Sequence, residues 1–188
     1  MWFDSDVSGT DGVLGSLSAL VCSEPGNQLR ELVLRGSEHR HHEHPVPCTA
    51  LADANRSGVT LELTTAAVHE RRFHTETVVL AEDPLRWMEL DGGGMGWRPW
   101  DQPFEVPVTV PHLGDEETMV RHRALVIAGT HHIGHLAGVT VDRNSFKLRG
   151  LIVDMGHLWH RHVAVLPATT IERMSEFWVW VKAAETRS

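Results

Sequence analysis

Histidine is the residue type in this sequence that most invites chemistry. Of fourteen imidazoles in 188 residues, three groups stand close together in the chain. They are His39, His41, His42 and His44 in "HRHHEHPVP", His157, His160 and His162 in "HLWHRHVAV", and His131, His132 and His135 in "HHIGH". Neutral imidazole ligates zinc, nickel and copper alike. Alternate side chains of a β-strand share a face, so His42 with His44, and His160 with His162, are spaced to share one ion. Glu43 or Asp154 would then add an oxygen ligand, or an acceptor for a ligating ring's N–H. A structural zinc site needs four ligands in fixed geometry, and neither run has zinc-finger spacing. "HEH" is not H-E-x-x-H, which removes the metalloprotease reading. The competing reading makes these histidines polar positions on exposed strands, where such residues discourage edge-to-edge aggregation.

Other reactive types are present without the context that would activate them. No G-x-S-x-G elbow and no paired carboxylates occur, and Cys22 and Cys48 stand in an apolar run and beside a proline, as structural thiols do. The expectation is a protein that is not an enzyme and needs no cofactor. In "DGGGMGWRPW" (Asp91–Trp100) no Lys-Ser/Thr pair follows the glycines, so this is not a phosphate loop. It reads either as a linker whose tryptophans fold back onto a domain, or as a loop presenting Trp97 and Trp100 to a partner.

The elements that must carry these residues follow from self-similarity. "VLGSLSALVCSEPGNQLRELVLRG" (13–36) lies over "HIGHLAGVTVDRNSFKLRGLIVDM" (132–155) with Gly15 on Gly134, Leu17 on Leu136, Leu29 on Leu148 and Leu32 on Leu151, each 119 residues apart. Val21 falls on Val141 after a one-residue adjustment. Further on, Val46-Pro47 matches Leu166-Pro167, Leu51 matches Ile171, Val59 matches Val179 and Leu61 matches Val181, all 120 apart. An offset this steady over some fifty residues predicts two copies of one unit. At 120, His42 aligns with His162 and Arg40 with His160.

Within each copy, turn residues ("EPGN", "DRNS") separate runs rich in branched apolar side chains, the mark of a hairpin. "HEHPVP" and "RHVAVLP" follow as strands, each ending at a proline that cannot continue a central ladder. "GVTLELT" and "FWVWVKA" alternate and give a last strand. In the second of these, Trp178 and Trp180 project to one side and Phe177, Val179 and Val181 to the other. Both sides are apolar, so one is expected to be covered by the other module or a second chain. Thr65–Phe73 reads as a short helix capped by Thr64 or Thr65.

A glycine-led strand, a turn, "KLRGLIVDMGHLW", "RHVAVLPATTIERM" and a final alternating strand resemble the PRC-barrel family. The second copy matches more fully than the first, and the arrangement of two copies about a Gly-containing middle is similar to the actinobacterial tandem type. The resemblance implies an all-β fold of two small barrels related by a pseudo-twofold axis, with a short helix and an irregular linker between them. The expected boundaries are 1–74, a linker over 75–118, and 119–188. It further implies an adaptor that binds a protein partner, for which Trp97, Trp100, Trp178 and Trp180 are the candidate contacts, with self-association as a variant. Transition-metal binding or buffering at the histidines is the alternative. The family also contains a ribosome-associated member, but a net charge of −8 with scattered Lys and Arg argues against nucleic acid.

An apolar fraction of 41% and a charged fraction of 22% describe an ordinary globular chain. No run approaches the length needed to span a bilayer, "MWFDSDVSGTDG" lacks the regions of a signal peptide, and two cysteines make no disulfide framework. A cytoplasmic location without membrane insertion is the expectation.

Overall fold

The computed structural model describes residues 1–24, 27–36, 42–73, 75–82, 104–155 and 162–182. It is built of strands with one short helix, and no helix among the described residues is long and apolar enough to cross a membrane. His39, His41, His157, His160, Trp97 and Trp100 lie outside the described residues. The chain divides into two compact units, Met1–Arg72 with Leu113–Ser188, and Phe73–His112.

The first unit begins with β1 (Asp6–Ser8), β2 (Val13–Ser23), β3 (Gln28–Gly36), β4 (Glu43–Pro47), β5 (Leu51–Ala54) and β6 (Val59–Leu61). These form a mixed sheet in the order β4-β3-β2-β1-β6-β5, with β1 and β6 the parallel pair. A 3-10 turn, Cys48–Ala50, joins β4 to β5, so the two ends of the path are consecutive in the chain. The helix α1 (Thr65–His69) follows. Its cap is Thr64, whose hydroxyl accepts from Ala67 N, and it buries Val68. The sequence suggests a longer helix; it stops four residues sooner, before Arg71 and Arg72.

The second unit holds β7 (Thr75–Glu82) and β8 (Phe104–Pro111), antiparallel from Thr75↔Pro111 to Glu82↔Phe104. The expectation of an irregular 75–118 overlooked these strands. β-branched Thr and Val at 75, 77, 78 and 79 face Pro111, Thr109, Val108 and Pro107, a composition suited to a two-stranded ladder in spite of its prolines.

Back in the first unit, β9 (Glu117–Arg121) pairs with β2. Then come β10 (Leu125–Ala128), β11 (His131–Val141), β12 (Leu148–Asp154), β13 (Val163–Pro167), β14 (Ile171–Met174) and β15 (Trp178–Val181). Their order is β13-β12-β11-β10-β15-β14, with β10 and β15 parallel. Taken by rank, this is the order of the first six strands. β13 and β14 are joined by another 3-10 turn, Ala168–Thr170.

The registers agree to the residue. Val7 opposes Gly15 and Val126 opposes Gly134, each just before a shift in pairing. β2 slips against β3 between Leu17 and Ala19 and between Val21 and Cys22; β11 slips against β12 between Leu136 and Gly138 and between Thr140 and Val141. Gly15 has φ +140°, and a Cβ there would sit 2.1 Å from the Arg35 carbonyl oxygen; at Gly134 it would sit 2.5 Å from that of Asp154. The pairing sets Val141 in the place of Cys22, opposite Leu148 as Cys22 is opposite Leu29. No adjustment is therefore needed at Val21. The extra residue enters later, between β12 and β13.

The halves interlock through their lead-in segments. β9 adds to β2 with Leu20 opposite Val120, while Trp2 bridges Gly138, and Val139 N donates to the Met1 carbonyl at 3.0 Å. At the hairpin turns, Gln28 bridges Lys147, Leu29 N donates to Phe146 O, and Leu148 N donates to Asn27 O. Leu17, Leu20, Leu32 and Leu34 from one sheet and Leu136, Leu151, Val153 and Val179 from the other belong to a single core cluster. Neither sheet alone has that much apolar area to bury.

Candidate partner-binding surface

β15 carries the surface. Val179 and Val181 enter the core, while Trp178 and Trp180 take the opposite side with ring centroids 6.4 Å apart and planes 23° from parallel. Strand alternation read from the sequence gives this division. Phe177, on the turn before the strand, is exposed. The turn is fixed at several points: Leu125 N donates to the Phe177 carbonyl, Ser175 N to that of Trp178, and Arg121 N to that of Glu176. The Arg121 guanidinium also spans the Glu176 and Glu43 carboxylates, the latter at 2.7 Å. Burial opposes its charge, but hydrogen bonds from it to the two carboxylates outweigh that cost and raise its pKa. Glu43 accepts from Ser18 as well, so it serves here as an ion-pair partner.

Residues directly opposite across a sheet share a face. The registers therefore carry one row across five strands: Val163, Asp154, His135, Leu125 and Trp178. A second runs His132, Ile127, Trp180 and Arg173, with the Arg173 guanidinium 5.3 Å over the Trp180 ring. Val163, Val165 and Trp178 are exposed, and Leu125, Ile127 and Trp180 half-buried. The same positions in the other sheet read Glu43, Arg35, Ser16, Asp6 and Gly58 in the first row, and Val13, Ser8, Thr60 and Asp53 in the second, with Val13 exposed. The second sheet thus carries Val163, Leu125, Ile127 and Trp180 where the first has Glu43, Asp6, Ser8 and Thr60, while both rows keep polar or charged side chains, among them Asp154, His135, His132 and Arg173.

The sequence singled out Trp178 and Trp180 but missed Leu125, Ile127, Val163, Val165 and Arg173, because the parallel pairing that joins β10 to β15 leaves no local signal. Comparing the copies position by position would have found them: Leu125 stands where Asp6 does, and Ile127 where Ser8 does.

The histidines sort differently from the expectation. His44 is not an exposed polar position. It is buried at 2% exposure, its Nδ1 2.9 Å from the Arg71 carbonyl and its ring edge-on to His69 at 5.1 Å. The segment after α1 folds over β4, and Arg71 O is the acceptor that makes burial tolerable. His42 precedes β4 and is exposed, its Nδ1 3.3 Å from an Arg72 nitrogen. His162 is exposed at the matching place: its carbonyl accepts from Met155 N as that of His42 accepts from Gly36 N. His132 and His135 meet edge-on at 5.0 Å, with ring nitrogens near the Gly134 and Arg123 carbonyls. Among the described residues, no group of three or more His, Cys, Asp or Glu side chains is arranged to hold a metal ion.

Cys22 is buried in β2, where desolvation, with smaller contributions from Cys48 and Glu24, pushes its thiol up to about 12; burial also raises that of Cys48. A cleft of about 110 Å³ beside Leu51, Asp53, Val141 and Arg143 is well below the volume of a typical small-molecule site. No protein-family model matches the chain, and no curated protein matches it.

Proposed function

We propose that the chain is a non-catalytic adaptor of two PRC-barrel-like modules that binds a protein partner through the outer face of the second. Support for the duplicated module comes from the shared strand order, the matched pairing slips at Gly15 and Gly134, and the 3-10 turn that links the two ends of each sheet's path. On this reading each sheet curls towards a small barrel, and the two are related by a pseudo-twofold axis through the Gln28–Lys147 bridge. The adaptor works in the cytoplasm and uses neither nucleic acid nor membrane insertion.

One observation carries the functional part: Trp180, Leu125, Ile127 and Val163 occupy outer-face positions whose counterparts in the first sheet, Thr60, Asp6, Ser8 and Glu43, are polar or charged, and Trp178 stands where the first sheet has Gly58. A fold that keeps its register while changing the chemistry of one face has that face free for recognition. Tryptophan and arginine are the side chains that most often dominate protein interfaces, and Arg173 stacked on Trp180 places both together.

Quantitative affinity capture tests this. A bound protein retained by the wild type should be lost on Trp178→Ala with Trp180→Ala, where a hot-spot truncation costs about 2 kcal/mol or more, roughly 30-fold in affinity. The control Ser8→Ala with Thr60→Ala, on the matching face of the first sheet, should retain it. Equal retention by all three proteins would remove this face from the account. Protein purified without chelator should carry no stoichiometric zinc, nickel or copper; finding one would favour the metal-binding alternative.

A further inference from the structure

The two sheets end on strands of opposite character. β4 and β13 occupy the same terminal place in their sheets and finish on Pro47 and Pro167. In an antiparallel pair the N–H and C=O of one residue face the same side, and that side alternates along the strand. The His162 carbonyl accepts from Met155 N, so it faces β12. The register of β12 and β13 has no shift, which directs the groups of Ala164 and Leu166 to β12 as well and turns those of Val163, Val165 and Pro167 away. By the same rule the Gly36 to His42 bond turns the groups of Glu43, Pro45 and Pro47 away from β3.

Proline has no N–H to give. The outward side of β4 therefore offers one donor, on Glu43, beside a carboxylate that pairs with Arg121; proline and charge on an edge resist strand addition. β13 instead carries Val163 and Val165 there, residues 50% and 60% exposed. The outward carbonyl of Pro167 is already taken by the Thr170 hydroxyl at 2.6 Å, which leaves Val163 and Val165 as the pairing groups.

We propose that β13 is a self-association edge, on which a second copy of the chain adds its own β13 antiparallel, centred on Ala164. With Ala164 on a twofold axis, Val163 of each chain opposes Val165 of the other. Each of these valines then donates once and accepts once, and both prolines fall outside the pairing. The valine side chains become cross-strand neighbours on the outer face. A foreign strand would make the same backbone bonds, but only a second copy also brings matched valines in both directions, as an isologous interface requires. This inference does not depend on the adaptor reading, since it rests on the outward backbone groups of Val163 and Val165, although the Val163 side chain also stands in the Trp178 row.

The experiment is sedimentation velocity of the full chain over a concentration series, with Val165→Pro and Val165→Thr beside the wild type. Pro45 stands at the corresponding position of β4, so the fold accommodates proline there. The expected result is a dimer for the wild type and for V165T, which keeps the N–H, and a single chain for V165P. A wild type that sediments as a single chain throughout, or a V165P that stays dimeric, would overturn the proposal. Amide hydrogen exchange on the wild type gives a reading that needs no variant: Val163 and Val165 should exchange more slowly as concentration rises, and a dimer without that slowing would equally overturn it.

Discussion

His44 and His42 are two residues apart and differ by an environment. His44 gives its Nδ1–H to the Arg71 carbonyl inside the first sheet's cover, whereas His42 stands in solvent against an arginine. Replacing His44 with alanine removes the part-buried hydrogen bond to the Arg71 carbonyl and opens a space the size of an imidazole at a buried position. The loss should be about 2–3 kcal/mol, by the cost of the lost hydrogen bond together with a cavity. His42→Ala should change stability by no more than about 0.5 kcal/mol, as exposed positions do. Urea unfolding midpoints of the two variants measure the difference, and equal midpoints would show that the Arg71 contact contributes nothing. The asymmetry was invisible in "HRHHEHPVP" because it depends on Arg71, 27 residues further on.

At the scale of elements, α1 is five residues long and holds its place by contacts outside itself. Thr64 caps it, and the Asp11 carboxylate receives both Thr65 N and the Thr65 hydroxyl; these bonds, the backbone one first, hold the Asp11 pKa below the usual carboxylate range. Thr64→Ala should therefore cost about 1 kcal/mol, as loss of a cap does, readable as a drop in Tm. A Tm unchanged by the substitution would mean that Asp11 alone fixes the helix start. This cap was legible in the sequence, and so were β2, β3, β11 and β12, where long branched-apolar runs flank turn residues. β1 and β10 were not: strands of three and four residues carry no periodicity, and on one side each pairs with a parallel partner some fifty residues away. The tryptophan ladder was legible because strand alternation is local. The face it belongs to was not, since that face is assembled by pairing between distant strands. The self-similarity itself was readable, including the change of offset from 119 to 120 between β3 and β4, where the strand pairing also has it; the local adjustment at Val21 was superfluous.

For the whole molecule, the interlocked lead-in segments predict how acid acts. Phe3 and His122 stack at 5.7 Å where the two halves meet, and His122 Nδ1 lies 2.9 Å from the Asp4 carboxylate. Burial draws the His122 pKa below its ordinary value of 6.5, against the pull of Asp4 and with help from Arg123 and Arg35. Above pH 6.5 the ring is neutral folded or unfolded and contributes nothing to the pH dependence. As pH falls through 6.5 the unfolded chain takes up the proton first, so stability declines until the folded ring also protonates, and the loss is then constant. Asp142 acts lower. The Arg149 guanidinium, then the Ser145 and Asn144 donors, hold its carboxyl far below 3.8, so its contribution is present above 3.8 and fades as pH falls towards its folded value. The molecule should thus soften in two steps, the first at the joint between halves and the second at the β11–β12 turn. His122→Phe keeps a ring against Phe3 and removes the titration, so its Tm should fall less than that of the wild type between about pH 7 and pH 5. The Asp142 step should survive in that variant. If the two proteins lose Tm in parallel over that range, the first step belongs to other histidines, and the joint between the halves is held by packing alone.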